Sequence, residues 1–187
     1  FPGNQGTAIV LSPIQYTPVS VGYSGTYPDS YGTTTFTTTL TGYVAGLIPG
    51  GSKEDFQGDP NNPDEFPGNR QGSTGTFGVV KPGISRVQPL PSEFLLSARV
   101  DGQWSSEPLI PAEQYFAGGM DTVRGYNQNS ALGDNALFWR AELYTPDLPS
   151  IPIDYFWQRR RSSDVKATIK LVGFYDYARL WTRRAPA

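Results

Sequence analysis

The sequence contains no cysteine and no histidine. Without cysteine, the chain can form neither a disulfide framework nor a thiolate metal site. Without histidine, it lacks the commonest general base and the commonest metal ligand, so the usual catalytic pairs of nucleophile and base have lost their base. These absences argue against an enzyme or a metalloprotein, and we expect no catalytic residues, no metal site and no cofactor.

Long apolar runs and a strong net charge are also missing. The longest uninterrupted apolar run, such as residues 8–11, is far shorter than the roughly 20 residues of a membrane-spanning helix. The formal net charge of -2 gives no overall attraction to nucleic acid. The sequence has no phosphate-cradling loop of the P-loop type, so we expect no nucleotide partner either.

The few charges that are present cluster in two places. Acidic residues concentrate in residues 53–65, and basic residues concentrate in residues 159–187. Charge runs are usually solvated, so we interpret both clusters as exposed loops or strand ends.

Glycine, proline and aromatic residues are abundant, with 21 glycines, 17 prolines and 13% aromatic residues. Threonine, tyrosine and phenylalanine favour pleated structure, and no window shows a sustained helical spacing of apolar residues. We therefore predict an all-β chain. The predicted strands are residues 8–24, 32–46, 74–87, 94–104, 136–144 and 165–181, with a bulge or kink at Pro82 and Gly83.

Apolar and polar side chains alternate along these predicted strands. The clearest strand, from Phe94 to Trp104, has the roughly 9–11 residues that a tilted strand needs to cross a bilayer. Alternation alone fits two architectures. A soluble sheet buries its apolar face in a core, whereas a membrane barrel turns that face to lipid and lines its lumen with the polar face.

The connections between the strands favour the membrane barrel. Short connections are predicted at residues 25–31 and 88–92, and long ones at residues 47–72 and 105–133. Aromatic residues that resemble an interfacial girdle lie at strand ends, namely Trp104, Tyr144 and Trp181. Short turns at one rim and long loops at the other are typical of antiparallel outer-membrane barrels, so we expect contact with outer-membrane lipid.

The second long loop contains a glycine-rich motif with a single arginine. Its candidate functional residues are Gly118, Gly119, Val123, Arg124, Gly125 and Tyr126. Glycines allow backbone angles that other residues avoid and let the chain approach its neighbours closely. We interpret Arg124 as the tip of a loop that is inserted against a partner, and we expect Tyr126 to pack on a wall rather than to contact cargo.

Three segments around this motif carry a family resemblance. Residues 102–109, 113–119 and 122–126 read GQWSSEPL, EQYFAGG and TVRGY. They resemble the two-partner-secretion outer-membrane transporters of the haemolysin-activator or filamentous-haemagglutinin-transporter type. The last segment also resembles the wider superfamily that includes the barrel-assembly insertase. Further matches at residues 133–134, 140–143 and 173–177 extend the resemblance over about residues 90–181.

The resemblance implies a sixteen-stranded antiparallel transmembrane barrel preceded by two POTRA domains. Residues 1–187 would then form a partial barrel domain, strands eight to thirteen, and the POTRA domains and remaining strands would be absent. The chain begins at Phe1 without an initiator methionine or signal peptide, which agrees with a fragment or processed piece. Two open sheet edges would need pairing partners, so we expect that this piece does not function alone.

The resemblance also implies that the loop at about residues 105–133 folds back into the lumen and that Arg124 pairs with Asp176. The alternation agrees, because it places Asp176 on the polar face of the last strand, and a lipid-facing charge is penalised. Guanidinium and carboxylate groups can pair bidentately, which fixes geometry as well as charge. Four further charged residues are expected to face the lumen, namely Arg99, Asp101, Arg140 and Glu142.

Taken together, the sequence favours a transporter in the outer membrane of a Gram-negative type of cell. It would secrete a large unfolded partner protein, such as a haemolysin or an adhesin, through the lumen to the cell surface. One alternative is the sister activity of the superfamily, the insertion of other barrels into the membrane. A second alternative, from a different class, is a soluble β-rich adhesin or binding module.

Overall fold

The computed structural model describes residues 14–47, 51–57, 70, 72–148 and 169–184. Its strands are β1 (Val19–Asp29), β2 (Gly32–Tyr43), β3 (Phe77–Pro89), β4 (Leu95–Ser105), β5 (Tyr115–Ala117), β6 (Ala131–Gly133), β7 (Asn135–Tyr144) and β8 (Val172–Trp181). Six of them form one antiparallel sheet in the order β1-β2-β3-β4-β7-β8, and β5 and β6 form a separate two-stranded sheet. The all-β prediction is confirmed, and the open six-stranded sheet agrees with a partial barrel.

The pairing keeps a constant offset along every pair of neighbouring strands in the sheet. Successive side chains therefore point to opposite faces without interruption. We call the face that bears Glu142 and Asp176 the inner face, and the face that bears Trp139 and Tyr175 the outer face. Exposed apolar side chains dominate the outer face, including Val21, Tyr23, Phe36, Leu40, Ile84, Val100, Trp139 and Tyr175.

The first hairpin differs from its prediction. Residues 25–31 were expected to form a connection, but β1 continues to Asp29 and only Ser30 and Tyr31 turn the chain. The Asp29 carboxylate accepts hydrogen bonds from the backbone N–H groups of Tyr31 and Gly32, which closes the turn tightly. Gly25 and Pro28 mimic a loop in sequence, yet they lie in an edge strand, where proline is tolerated.

The bulge or kink expected at Pro82 and Gly83 is not an insertion. The ladder between β2 and β3 passes through both residues with no change of offset. Between β3 and β4 the pairing stops at Val80 and resumes at Gly83, again with the same offset. Proline has no N–H to donate, so the ladder loses a bond there without displacing the side chains beyond it.

The two rims of the sheet differ, as the connection lengths predicted. The turns between β1 and β2 and between β3 and β4 lie at one rim, and the long connections 44–76 and 106–134 lie at the other, which we call the long-loop rim. The connection 145–171 joins β7 to β8 at the short-turn rim and is much longer than the two turns there. The connections at the short-turn rim are therefore not all short.

The connection 44–76 is not structureless over its described part. It contains a short helix, α1 (Lys53–Gln57), whose Phe56 is fully buried. The buried core around it consists of Tyr43, Phe56, Phe77, Val79, Leu109 and Ile110. This core lies at the long-loop rim and packs parts of both long connections, 44–76 and 106–134, against the sheet. No helix in the described ranges is long and apolar enough to cross a membrane.

Some predictions fall partly outside the described residues. The beginnings of the predicted strands 8–24 and 165–181 lie there, as do most of the basic cluster 159–187 and the acidic residues after 57. Where the last strand is described, it begins later than predicted, at Val172, and Ile169 forms only an isolated bridge with Leu148.

Candidate functional site: a loop latched to the inner face

The connection 106–134 leaves the long-loop rim and turns back over the inner face of the sheet. We call residues 118–126 the latch loop. Its first glycine, Gly118, has φ of 108°, and an added methyl group would meet the Asn127 carbonyl and lie 2.5 Å from Ser130 Oγ. Gly125 has φ of 89° but open space around it. Both positions require the left-handed backbone that glycine alone adopts easily, so these glycines set the path of the loop.

Arg124, which lies between these glycines, binds Asp176 of β8. Its Nε lies 2.7 Å from Asp176 Oδ2, its Nη2 lies 2.8 Å from Oδ1, and its backbone N–H donates to Oδ2 over 3.1 Å. The third guanidinium nitrogen, Nη1, lies 2.7 Å from Oε1 of Glu142 on β7. One arginine therefore joins the latch loop to two adjacent strands by charge-assisted hydrogen bonds.

Arg140 completes the network from the opposite direction. It lies directly across from Asp176 in the ladder between β7 and β8, and its Nε lies 2.9 Å from Asp176 Oδ1. Its Nη2 donates to the carbonyl oxygens of Met120 and Thr122 in the latch loop. The Tyr144 hydroxyl donates to Glu142 over 2.7 Å. Two arginines thus face two carboxylates, so the network has no net charge.

The network is largely removed from solvent. The Asp176 side chain is only 2% exposed, whereas the Arg124 side chain is 24% exposed. The Arg124 guanidinium carbon lies 3.6 Å from the centre of the Phe174 ring, close enough for a cation–π contact. Hydrogen bonding to Asp176 raises the pKa of Arg124 above its ordinary value, which keeps the guanidinium charged.

The other residues that the sequence singled out have different surroundings. Arg99 Nε lies 2.5 Å from Asp101 Oδ2, but that oxygen makes no aligned hydrogen bond, so this contact is electrostatic only. Val123 and Tyr126 line a cavity of about 390 Å³ between the latch loop and β8. Tyr126 is 68% exposed, so it covers the wall only in part. Gly119, with φ of 97°, continues the left-handed path that Gly118 begins.

Sequence reasoning placed Arg140 and Glu142 on the polar face but did not assign them to the latch. A partial signal was present, because Arg140 and Glu142 have the same parity on β7 and so share one face, but the register that pairs Arg140 with Asp176 and Glu142 with Phe174 is visible only in the structure. The sequence did not indicate that the ring of Phe174 lies beneath Arg124. Sequence reasoning also missed a second buried carboxylate, Asp134, which lies at the long-loop rim just before β7.

Neither the network around Asp176 nor the surroundings of Asp134 have the composition of a metal centre. Within the described residues, there is no group of three or more histidine, cysteine, aspartate or glutamate side chains that could hold a metal ion. The Asp176 and Asp134 carboxylates are instead occupied by arginine donors. The chemistry that the geometry supports is therefore the mechanical attachment of a loop to a wall.

An antiparallel sheet with an apolar outer face, a polar inner face and a loop latched to the inner face agrees with part of a transmembrane β-barrel. The model of the family described as "Haemolysin secretion/activation protein ShlB/FhaC/HecB" matches residues 5–181, and the chain belongs to this family. Its members are outer-membrane transporters of two-partner secretion in Gram-negative cells, which confirms the predicted family and location. We found no significant match among curated proteins or among solved structures.

Proposed function

We propose that this chain forms part of the wall of a pore that passes a large unfolded secreted protein, of the haemolysin or adhesin class, to the cell surface. The latch loop is the element that holds this pore in a defined state. The observation that carries the proposal is the attachment of Arg124 to Asp176 and Glu142 on the inner face. The family match supports the secretion branch over barrel insertion.

The outer face supports a position in the lipid bilayer. Its exposed tyrosine, tryptophan, valine and leucine side chains would be costly to leave in water, whereas lipid tails accept them. The partial barrel of residues 1–187 would pair its two open edges, β1 and β8, with other strands of the same barrel.

The inner face of β1 and β2 supports passage of an unfolded chain. Serine and threonine hydroxyl groups line it, and several bond to one another across the strands, as Ser20 does to Thr41 over 2.8 Å and Thr26 to Thr35 over 3.4 Å. Hydroxyl groups that satisfy each other bind a passing chain weakly. The inner-face charged residues of β7 and β8, Arg140, Glu142 and Asp176, are meanwhile engaged by the latch loop, so they do not trap the passing chain.

Substitution of Arg124 tests the proposal in the transporter that contains this chain. Arg124→Met keeps the length of the side chain but removes its charge, and Arg124→Lys keeps the charge but loses the planar fork. We expect Met to reduce secretion of the partner strongly and Lys to reduce it less, with Leu47→Ala, an exposed position in another outer loop, as the neutral control. Normal secretion by a fully assembled Arg124→Met protein would reject the latch as a functional element.

A further inference from the structure

Asp134 is a fully buried carboxylate that the latch does not use. It lies at the long-loop rim, between the end of β6 and the start of β7, outside the spanning strands. Burial of a charged group is costly unless hydrogen bonds and an opposite charge compensate it. The partners of Asp134 therefore indicate why the charge is there.

Donors from three distant parts of the chain converge on this carboxylate. Arg70 of the connection 44–76 binds both oxygens, with Nη2 2.9 Å from Oδ2. From the connection 106–134, the Leu109 backbone N–H and the Gln114 Nε2 each donate to Oδ1 over 3.0 Å. From the segment after β8, the Arg183 backbone N–H donates to Oδ2 over 2.6 Å.

Arg70 and Asp134 both form hydrogen bonds with the backbone of the same two residues, Leu109 and Arg183. The N–H groups of Leu109 and Arg183 donate to Asp134, while the carbonyl groups of the same residues accept from Arg70, over 2.7 Å and 3.2 Å. The ion pair thus satisfies the donor and the acceptor of each residue at once. Charge neutralisation alone would not require these four hydrogen bonds to the backbone.

We propose that Arg70 and Asp134 form a second anchor, which positions both long outer loops and the segment after β8 at the mouth of the pore. We call it the rim anchor. It shares no residue with the latch, which holds the 118–126 segment against the inner face of β7 and β8. The two devices would act separately, one on the mouth and one on the lumen. This inference rests on the proposed function only in taking the long-loop rim as the outer mouth.

Single cysteine reporters can test this directly, because residues 1–187 contain no cysteine. Ser73 is buried, and its N–H donates to the Arg70 carbonyl, so Ser73→Cys reports on the rim anchor. Ala117 is buried beside the latch loop, so Ala117→Cys reports on the latch. Each reporter is placed in the membrane-embedded transporter and labelled with a membrane-impermeant maleimide.

We expect Arg70→Met and Asp134→Asn each to raise the labelling rate at position 73 by about tenfold or more, since each removes a buried charge-assisted contact. The labelling rate of the double variant should be little higher than that of either single variant, because both substitutions break the same contact between Arg70 and Asp134. Arg70→Lys should label more slowly than Arg70→Met, because it keeps the charge. Labelling at position 117 should stay unchanged. Arg124→Met should show the reverse pattern, with faster labelling at 117 and no change at 73.

Unchanged labelling at position 73, or parallel increases at both reporters in each variant, would overturn the separate rim anchor. Heat-modifiable migration in electrophoresis verifies assembly, and if Asp134→Asn does not assemble, the comparison of Arg70→Met with Arg70→Lys decides the question. The outcome is independent of transport. A failed secretion test would reject the proposed function, while the labelling pattern would still accept or reject the rim anchor.

Discussion

Arg140 lies directly opposite Asp176 in the ladder between β7 and β8, and the two side chains are joined over 2.9 Å. The Asp176 carboxylate therefore accepts hydrogen bonds from two arginines, Arg140 of the neighbouring strand and Arg124 of the latch loop. The cross-strand arginine is present whether or not the loop is docked. It would hold the Asp176 carboxylate in place for Arg124, which lowers the conformational cost of docking.

This relationship predicts that a simple exchange of charges at the latch will fail. In the double variant Arg124→Asp with Asp176→Arg, the new arginine would face Arg140, and like charges directly opposite each other destabilise a strand pair. We expect the double variant to label at Ala117→Cys as fast as the single variants do. Adding Arg140→Gln should recover part of the protection, with Arg140→Gln alone as the control. Full recovery without a change at Arg140 would mean that Arg140 does not couple to Asp176.

The ring beneath Arg124 gives a second prediction. Phe174→Leu keeps an apolar side chain but removes the π face, so we expect the docked latch loop to lose about 0.5–1 kcal/mol, which is the usual size of a partly exposed cation–π contact. Phe174→Trp should preserve or strengthen docking. Maleimide labelling at Ala117→Cys measures the change, and Phe36→Leu on the outer face, similarly exposed, is the matched control. Equal rates for the two leucine variants would exclude a cation–π contribution.

The glycines of the latch loop should not be equivalent. Gly125→Ala meets open space, so it should cost only the backbone strain of a left-handed alanine, about 1–2 kcal/mol. Gly118→Ala adds a collision with Asn127 and Ser130 to the same strain and should undock the loop more completely. Labelling at Ala117→Cys in the two variants measures the difference. A larger effect at Gly125 would show that the path of the loop differs from the one described.

The aromatic core at the long-loop rim predicts a stability effect. Phe56 is fully buried and packs against Tyr16 and Tyr43, with ring centroids 5.4 Å and 5.7 Å apart. Phe56→Ala should lower the free energy of unfolding by about 3–5 kcal/mol, as for other buried phenylalanines. The temperature of the heat-modifiable transition gives the measurement, with the exposed Leu47→Ala as control. A shift no larger than that of Leu47→Ala would mean that α1 does not dock.

Acid should release the rim anchor. Burial opposes ionisation of Asp134, but hydrogen bonds from Arg70, Gln114 and the backbone N–H groups outweigh it and lower the pKa of Asp134. Because the pKa in the folded state is the lower one, the stabilisation is complete above the unfolded value of about 3.9 and disappears as the pH falls below it.

The difference in melting temperature between the native protein and Asp134→Asn isolates this contribution. We expect the difference to be constant from neutral pH down to about pH 5 and to vanish as the pH falls through the lowered pKa of the carboxyl group. A difference that grows on acidification would contradict an ionised Asp134 in the folded state.

Much of the sheet could be predicted because a strand signals itself locally. The alternation of Leu137, Trp139 and Leu143 with Phe138 and Glu142 is visible along β7, and it assigns each residue to a face without any knowledge of its neighbours. The end of β1 could not be predicted in the same way. Gly25 and Pro28 have the local signature of a turn, and only their place in an edge strand makes them compatible with pairing.

The candidate site likewise contains some residues that the sequence predicted and others that it did not. A family-like motif in the sequence pointed to Arg124 and Asp176 across 52 residues. No local pattern linked Arg70 to Asp134 across 64 residues, because Arg70 lies in a loop rich in glycine, proline and acidic residues. Likewise, nothing in the polar surroundings of Phe56 indicated that its ring would be buried.

The sequence by itself thus determined the all-β architecture, the two faces of the strands and the arginine of the latch loop, because each depends on short-range alternation or on a contiguous motif. Tertiary structure alone decided the double use of Asp176, the stacking of Arg124 on Phe174 and the enclosure of Asp134 by three segments. Those features depend on strand register and on the return of distant loops to one rim, and no stretch of neighbouring residues encodes either.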